Sequence, residues 1–139
     1  MSFTHNTSKT SSSDPVFIIG CGDIGRRVAR LEQVEGREVV GLARSPRTAS
    51  ELAKKGIGVI AGDLDRPGSL MELPSRVSTL YYFASPPSSG DDDPRLDNAL
   101  EALSVLPARL VYISTSGVYG DCAGAWIDEI GRASCRERV

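Results

Sequence analysis

The chain has 139 residues, which is enough for one globular domain with one core. A formal net charge of −2 argues against nucleic acid or an anionic membrane as the partner, because both require a basic face. Its three cysteines are odd in number and lack metal-ligand spacing, which indicates a reducing, cytoplasmic setting with no metal site. No apolar run is long enough to span a bilayer.

The first fourteen residues differ in composition from the rest. Residues 1–14 are rich in Ser, Thr, Asn, Lys and His and lack the apolar stretch of a signal peptide. We therefore interpret them as a disordered leader.

Short apolar runs then alternate with helical patterns. Ile24, Val28 and Leu31 repeat at helical spacing and predict an amphipathic helix that extends to Gly36. This alternation predicts an α/β fold with a doubly wound, Rossmann-like parallel sheet, truncated after about five strands. The strands are predicted at Val16–Ile19 and residues 38–43, 57–61, 79–83 and 109–113, and the further helices at residues 48–55, 67–73 and about 96–103.

A glycine-rich loop lies directly between the first strand and the first helix. Its sequence, Gly-Cys-Gly-Asp-Ile-Gly, matches G-x-G-x-x-G. Gly20 permits a tight turn, Gly22 lets the backbone approach a diphosphate, and Gly25 lets the helix pack close to the sheet. The alternative is a plain tight turn, but the βαβ setting favours a dinucleotide site. The candidate residues are Gly20, Gly22, Asp23, Ile24 and Gly25.

The end of the second predicted strand bears on the choice of dinucleotide. An acidic residue there would bind the ribose 2′-hydroxyl of NAD, but residues 42–47 read Leu-Ala-Arg-Ser-Pro-Arg and contain no acid. Arg44 and Arg47 supply guanidinium groups and Ser45 a hydroxyl, which suit the 2′-phosphate of NADP. The sequence therefore favours NADP, with NAD as the alternative cofactor. The competing interpretation is that both arginines only solvate a loop.

Asp63 and Leu64 follow the third predicted strand directly after a glycine. In this type of sheet the end of that strand faces the adenine, so Asp63 is a candidate acceptor for the exocyclic amine. The alternative is an aspartate that only forms a turn or caps a helix.

The fifth predicted strand carries the most specific motif. Residues 110–121 read Leu-Val-Tyr-Ile-Ser-Thr-Ser-Gly-Val-Tyr-Gly-Asp. This segment resembles the strand-five signature of the extended and atypical short-chain dehydrogenases/reductases, the epimerase/dehydratase-like group. The resemblance runs from Val16 to about Glu129 and includes the glycine loop, residues 62–64, and a segment implied to bind cofactor: Phe83, Ala84 and Ser85.

The resemblance implies an NAD(P)-dependent oxidoreductase, or a sugar-nucleotide epimerase or dehydratase, that acts on a small-molecule substrate. In that family the hydroxyl at the position of Thr115 hydrogen-bonds the reacting oxygen of the substrate, with Ser116 here as the nearby substitute. Members also carry a Tyr-x-x-x-Lys pair as acid/base. None of the four tyrosines has a lysine four residues later, and no lysine follows Lys55.

We therefore expect residues 15–129 to be an incomplete NAD(P)-binding domain and the fragment itself to be inactive. Residues 130–139 have no periodic apolar stripe and equal the translation of a widely used sequencing adapter (ATC GGA AGA GCG TCG TGT AGG GAA AGA GTG). We interpret them as a non-native tail; a native arginine-rich tail is the alternative.

Two non-catalytic alternatives share this fold. One is a regulatory protein that senses NAD(P). The other is the nucleotide-gated regulatory domain of a potassium channel or transporter, which shares the glycine loop and a Gly-Asp after the third strand. The second alternative predicts an acid after the second strand and no motif like residues 114–120, so the sequence favours the enzyme and the sensor. The sequence indicates no oligomeric state.

Overall fold

The computed structural model describes residues 14–90, 92–113 and 123. Its helices are α1 (Asp23–Val34), α2 (Pro46–Ala53) and α3 (Pro94–Ala102), and a short 3-10 turn spans Pro67–Ser69. Its strands are β1 (Val16–Ile19), β2 (Val39–Ala43), β3 (Gly58–Ala61), β4 (Thr79–Tyr82) and β5 (Arg109–Tyr112).

The five strands form one parallel sheet in the order β3-β2-β1-β4-β5. The chain moves outward from β1 to β3, then crosses to β4 on the other side of β1. The direction of winding therefore reverses between β1 and β4, where Phe17 of β1 is paired with Leu80 of β4. This topology confirms the predicted Rossmann-like α/β fold.

Helices cover both faces of the sheet, which is why its central strand β1 is apolar throughout. All four residues of β1 are buried. Ile18 faces α1 and α2 and packs in one core with Ala29 and Leu52. Phe17 faces the opposite side and packs with Ala99, at α3. Successive strand residues thus feed two separate cores, as the alternation of side chains along a strand requires.

The face that α1 presents to the sheet differs in part from the predicted one: Val28 packs against the core, but the other two residues of the predicted stripe are exposed. Ile24 and Leu31 are 54% and 67% exposed, whereas Gly25, Ala29 and Glu32 are buried. Helix phase explains the difference: a Cβ on Gly25 would lie 2.5 Å from the carbonyl oxygen of Gly20, so this glycine must face the sheet. Residues 29 and 32 follow it at helical spacing and turn inward as well.

Burial of Glu32 would be costly without partners, and the structure supplies two. The hydroxyl of Tyr81, on β4, donates to Glu32 at 2.5 Å, and Arg37 forms an ion pair with the same carboxylate. Burial and the Glu32 carboxylate both raise the pKa of Tyr81. This network fastens α1 to the middle of the sheet.

Two predicted helices have different bounds in the structure. The helix expected over residues 67–73 is only the 3-10 turn Pro67–Ser69, since Gly68 is a poor helix former and Pro74 disfavours helix in the residue before it. The helix expected over residues 48–55 begins at Pro46, because the Ser45 hydroxyl accepts from the Thr48 N–H and proline suits the first helical position.

No helix within the described ranges is both long enough and apolar enough to cross a membrane. The same residues contain no group of His, Cys, Asp or Glu that could hold a metal ion.

The inward face of α1 gives a test by substitution. Ala29→Leu should lower the free energy of unfolding by about 1–3 kcal/mol, because Ala29 is 1% exposed and the added carbons have no space. Leu31→Gln, on the exposed side of the same helix, should change the free energy of unfolding by less than about 0.5 kcal/mol. Urea unfolding of both variants measures this, and a larger loss for Leu31→Gln would support the face that periodicity predicted.

Candidate functional site

The carboxyl ends of the strands open into a cleft of about 740 Å³. It lies at the ends of β1 and β4, between which the direction of winding reverses, the place at which open α/β sheets bind ligands. The cleft is lined by every predicted cofactor-binding residue except Arg47: Gly20, Gly22, Asp23, Ile24, Gly25, Arg44, Ser45, Asp63, Leu64, Phe83, Ala84 and Ser85.

Two glycines of the loop are required by close backbone contacts. Gly20 has a φ of +90°, and a Cβ there would lie 2.5 Å from the backbone of Phe83 and Ala84, just after β4. Gly25 packs against the Gly20 carbonyl at a distance that also excludes a Cβ. Together they hold the start of α1 against the ends of β1 and β4, which confirms the packing role predicted for Gly25.

Gly22 differs from them because its surroundings are open. It is exposed, and a Cβ built on it meets nothing within 4 Å. It is also the N-cap of α1, and among the described residues no side chain caps this helix. By contrast, Ser45 caps α2 and Asp93 caps α3. The first-turn N–H groups of α1 are thus left for a ligand, at the positive end of the helix dipole.

The structure separates the two arginines that follow β2. Arg44 is exposed and lines the cleft. Arg47 lies on α2 with a side chain that is 90% exposed, and its Nε donates to Glu51 at 3.3 Å. Ser45 lines the cleft, but its hydroxyl accepts from the Thr48 N–H at 3.2 Å. Of the three residues, Arg44 alone combines a cleft position with a side chain that α2 does not engage.

Arg26 is a cleft residue that the sequence analysis missed. Its Nε donates to the carbonyl of Cys21 at 3.1 Å, inside the glycine loop, and its Nη2 pairs with Glu51 at 2.6 Å. Hydrogen bonds from Arg47 and Arg26 lower the pKa of Glu51. Arg26 therefore braces the loop against α2. Its position directly after Gly25 was the available signal.

Cys21 itself packs inside the protein. Its Sγ donates to the carbonyl of Ile18 at 3.5 Å, and a Cβ on Gly41 would approach that sulfur to 2.8 Å. Burial raises the pKa of the thiol to about 11. A thiol of that pKa stays protonated near neutral pH, so Cys21 fills space and is not a nucleophile.

The segment after β3 forms a turn, and Arg95 of α3 binds one of its acids, Asp65. Asp63 accepts the N–H of Asp65 at 3.0 Å, so the turn-forming alternative considered for Asp63 is observed. Asp65 pairs with Arg95 through two hydrogen bonds of 2.7 and 2.8 Å. Arg95 also donates to the carbonyl of Ser85 at 2.9 Å. The pair thus joins the loops after β3 and β4 across the cleft.

Neither member of this pair was predicted. Asp65 and Arg95 are 30 residues apart, and no local pattern links them. The two catalytic candidates, Thr115 and Ser116, lie outside the described residues and stay predictions.

One family profile, the TrkA-N domain, matches residues 16–78, which include the glycine loop and the first three strands. A search of curated proteins by sequence finds no match. Among solved structures, the chain is similar to the Citrobacter sp. triphenylmethane reductase complexed with NADP(H), with 22% identity and a TM-score of 0.57, over 70% of this chain and 36% of that one.

Two further structures show the same likeness. The NADPH-dependent quinone oxidoreductase of Escherichia coli, complexed with NADPH, is 25% identical with a TM-score of 0.57, over 70% of this chain and 35% of that one. A protein named gox2253 is 21% identical with a TM-score of 0.63, over 87% of this chain and 40% of that one. The chain thus spans between about a third and two fifths of the length of these structures.

These comparisons agree with the sheet order in showing a Rossmann-like fold. The TrkA-N match covers the segment that the enzyme and the channel-domain alternative have in common, so it does not separate them.

Substitution of the two kinds of loop glycine should lower the free energy of unfolding by different amounts. Gly25→Ala should lower the free energy of unfolding by about 1–3 kcal/mol, because its Cβ would lie 2.5 Å from the Gly20 oxygen. Gly22→Ala, the matched control, should cost less than about 1 kcal/mol, the scale of a changed N-cap. Thermal unfolding of the two variants measures both values. Equal losses would mean that the loop does not pack as described.

Proposed function

We propose that the protein binds a nicotinamide dinucleotide in this cleft, and NADP in preference to NAD. The observation that carries the proposal is the combination of an uncapped α1 beside Gly22 with Arg44 at the end of β2. The two features match the two phosphate positions of NADP, the diphosphate and the 2′-phosphate.

The α1 end fits a diphosphate in shape and in charge. The open space at Gly22 admits an atom close to the backbone. The N–H groups of the first turn, at residues such as Asp23 and Ile24, would donate to phosphate oxygens, while Gly20 and Gly25 hold the loop in place. Asp63 would lie near the adenine, as the sequence predicts, although its carboxylate also forms the turn.

Arg44 would carry the choice between the two cofactors. A 2′-phosphate has roughly one and a half to two negative charges near neutral pH. A charge-assisted hydrogen bond is worth about 1.5–3 kcal/mol, and about 1.4 kcal/mol is tenfold in affinity. The NAD ribose has no such phosphate, so the same arginine adds little to NAD binding.

Replacement of Arg44 tests this preference. Arg44→Ala should weaken NADP about tenfold or more and leave NAD nearly unchanged, because only NADP presents the 2′-phosphate. Calorimetric titration of the variant with each dinucleotide at one salt concentration measures both affinities.

Arg47→Ala is the matched control. It removes the same charge three residues further along the chain, from a side chain that pairs with Glu51. It should leave both affinities within about twofold, as expected for an exposed ion pair. Equal small losses of NADP and NAD binding in Arg44→Ala would contradict the preference. Absence of binding of either dinucleotide to the parent protein would contradict the proposed function itself.

For the reaction, we favour reduction or oxidation of a small-molecule substrate. A bound nicotinamide dinucleotide supplies hydride transfer. The support is the likeness to two structures named as reductases or oxidoreductases with bound NADP(H) or NADPH, together with the resemblance of residues 110–121 to the short-chain dehydrogenase/reductase signature. Thr115, or Ser116 beside it, would hydrogen-bond the reacting oxygen. The same proposal includes an epimerase or a dehydratase. It also includes the cytoplasmic setting that the sequence predicts.

The second candidate is a non-catalytic sensor of NAD(P), which would bind the dinucleotide without a tyrosine acid/base. Among the residues that the structure describes, no tyrosine lines the cleft. Tyr81 donates to Glu32, and Tyr82 donates to Asp93 at 3.5 Å. Burial raises the pKa of both hydroxyls, the reverse of what a tyrosine acid/base requires. NADPH that binds but is not consumed with any of a panel of aldehydes, ketones and quinones would favour the sensor, and consumption would favour the enzyme.

A further inference from the structure

Three of the described acids line the cleft together with Arg44, and one of them, Asp65, is paired with an arginine that also lines it. Asp65 lines the same cleft as Arg44. A carboxylate beside a phosphate is repelled by it, and like charges brought together oppose binding. A cleft selective for a 2′-phosphate therefore needs the charge of Asp65 offset.

Arg95 offsets the charge of Asp65 through a two-pronged hydrogen-bonded pair. Its Nε and Nη2 each donate to one carboxylate oxygen of Asp65, at 2.7 and 2.8 Å. Such two-pronged pairing fixes the guanidinium plane as well as the charge. The third nitrogen, Nη1, donates to the Ser85 carbonyl at 2.9 Å, so Arg95 is held from both sides of the cleft. Its side chain is 27% exposed, against 47% for that of Asp65.

Both arginines act on Asp65. Hydrogen bonds from Arg95 are the largest cause of the lowered pKa of Asp65, and the positive charge of Arg44 contributes to the same shift. Asp65 therefore lies within electrostatic reach of both arginines. Without Arg95, its negative charge would act on Arg44 and on anything bound there.

We propose that Arg95 is a specificity-determining residue for the cleft: by pairing with Asp65, it leaves the field of Arg44 available to the 2′-phosphate of NADP. The inference rests on the proposed function and adds to it a residue from α3, far from the glycine loop in sequence. Arg95 acts through Asp65, so it is a positioning and neutralising residue and needs no contact with the ligand.

The experiment is a double-mutant cycle read as the ratio of NADP to NAD affinity. Both dinucleotides carry the same diphosphate, so effects on that group and on the loops cancel in the ratio. The variants are Arg95→Ala, Asp65→Asn and the two combined, each titrated calorimetrically at low ionic strength. Arg76→Ala is the control: it removes the same charge from a pair with Asp14 at the opposite, amino end of the strands.

In Arg95→Ala the unpaired Asp65 should lower the ratio of NADP affinity to NAD affinity about fivefold. This is the scale of the repulsion between the one negative charge of Asp65 and the two of the 2′-phosphate through solvent-exposed protein. Added Asp65→Asn should restore the ratio to within about twofold of the parent, because the carboxylate is then gone. The deficit of Arg95→Ala should shrink at high salt. Arg76→Ala should leave the ratio unchanged.

A double variant as deficient as Arg95→Ala would overturn the inference, since the arginine would then contact the phosphate directly. Equal losses for NADP and NAD in Arg95→Ala would also overturn it, because a purely structural brace affects both. Neither result touches the proposed function, which fails only if the parent protein binds no dinucleotide. If Arg95→Ala does not fold, Asp65→Asn alone decides: the ratio should rise, and an unchanged or lower ratio contradicts the inference.

Discussion

The contact on which the structure depends is the approach of Gly20 to the backbone of Phe83 and Ala84. A Cβ at residue 20 would lie 2.5 Å from that backbone. Because the end of β1 meets the end of β4 this closely, α1 must start beside the point where the sheet changes direction. Gly25 then packs on the Gly20 carbonyl and sets the phase of the helix. Its uncapped first turn faces the cleft as a consequence. Glycine packing thus places the positive helix end, and the hydrogen bonds of Arg26 and Glu32 hold it there.

The cleft combines this fixed positive end with three arginines, two of which are engaged. Arg26 pairs with Glu51 and Arg95 with Asp65, at 2.6 and 2.7 Å. Arg44 is the cleft arginine for which the described residues supply no ion-pair partner. Pairing costs side-chain entropy and satisfies charge, so the paired arginines brace loops, while Arg44 retains its charge for a ligand. This division of roles leaves Arg44 as the arginine that the proposed 2′-phosphate would meet.

Local chemistry explains what the sequence predicted well and what it did not. The alternation of strands and helices and the glycine loop follow from short-range patterns, and both are present in the structure. The inward face of α1 follows only in part from apolar spacing, because the close packing of Gly25 turns Ala29 and Glu32 inward and leaves Leu31 exposed. Glu32 is tolerated there because Tyr81, on a distant strand, supplies a hydrogen bond and Arg37 forms an ion pair with it. The Asp65–Arg95 pair likewise exists only once α3 packs against the 3-10 turn and the loop after β3, which no local pattern encodes.

The central claim is that the first turn of α1 binds the diphosphate of NADP and that Arg44 binds its 2′-phosphate. Backbone amide chemical shifts of the ¹⁵N-labelled protein, recorded during titration with NADP and then with NAD, test it most directly. The account predicts that both ligands shift the amides of Gly22, Asp23 and Ile24, and that NADP alone also shifts Arg44 and Ser45. Shifts confined to another surface, or identical shifts at Arg44 for the two ligands, would contradict it.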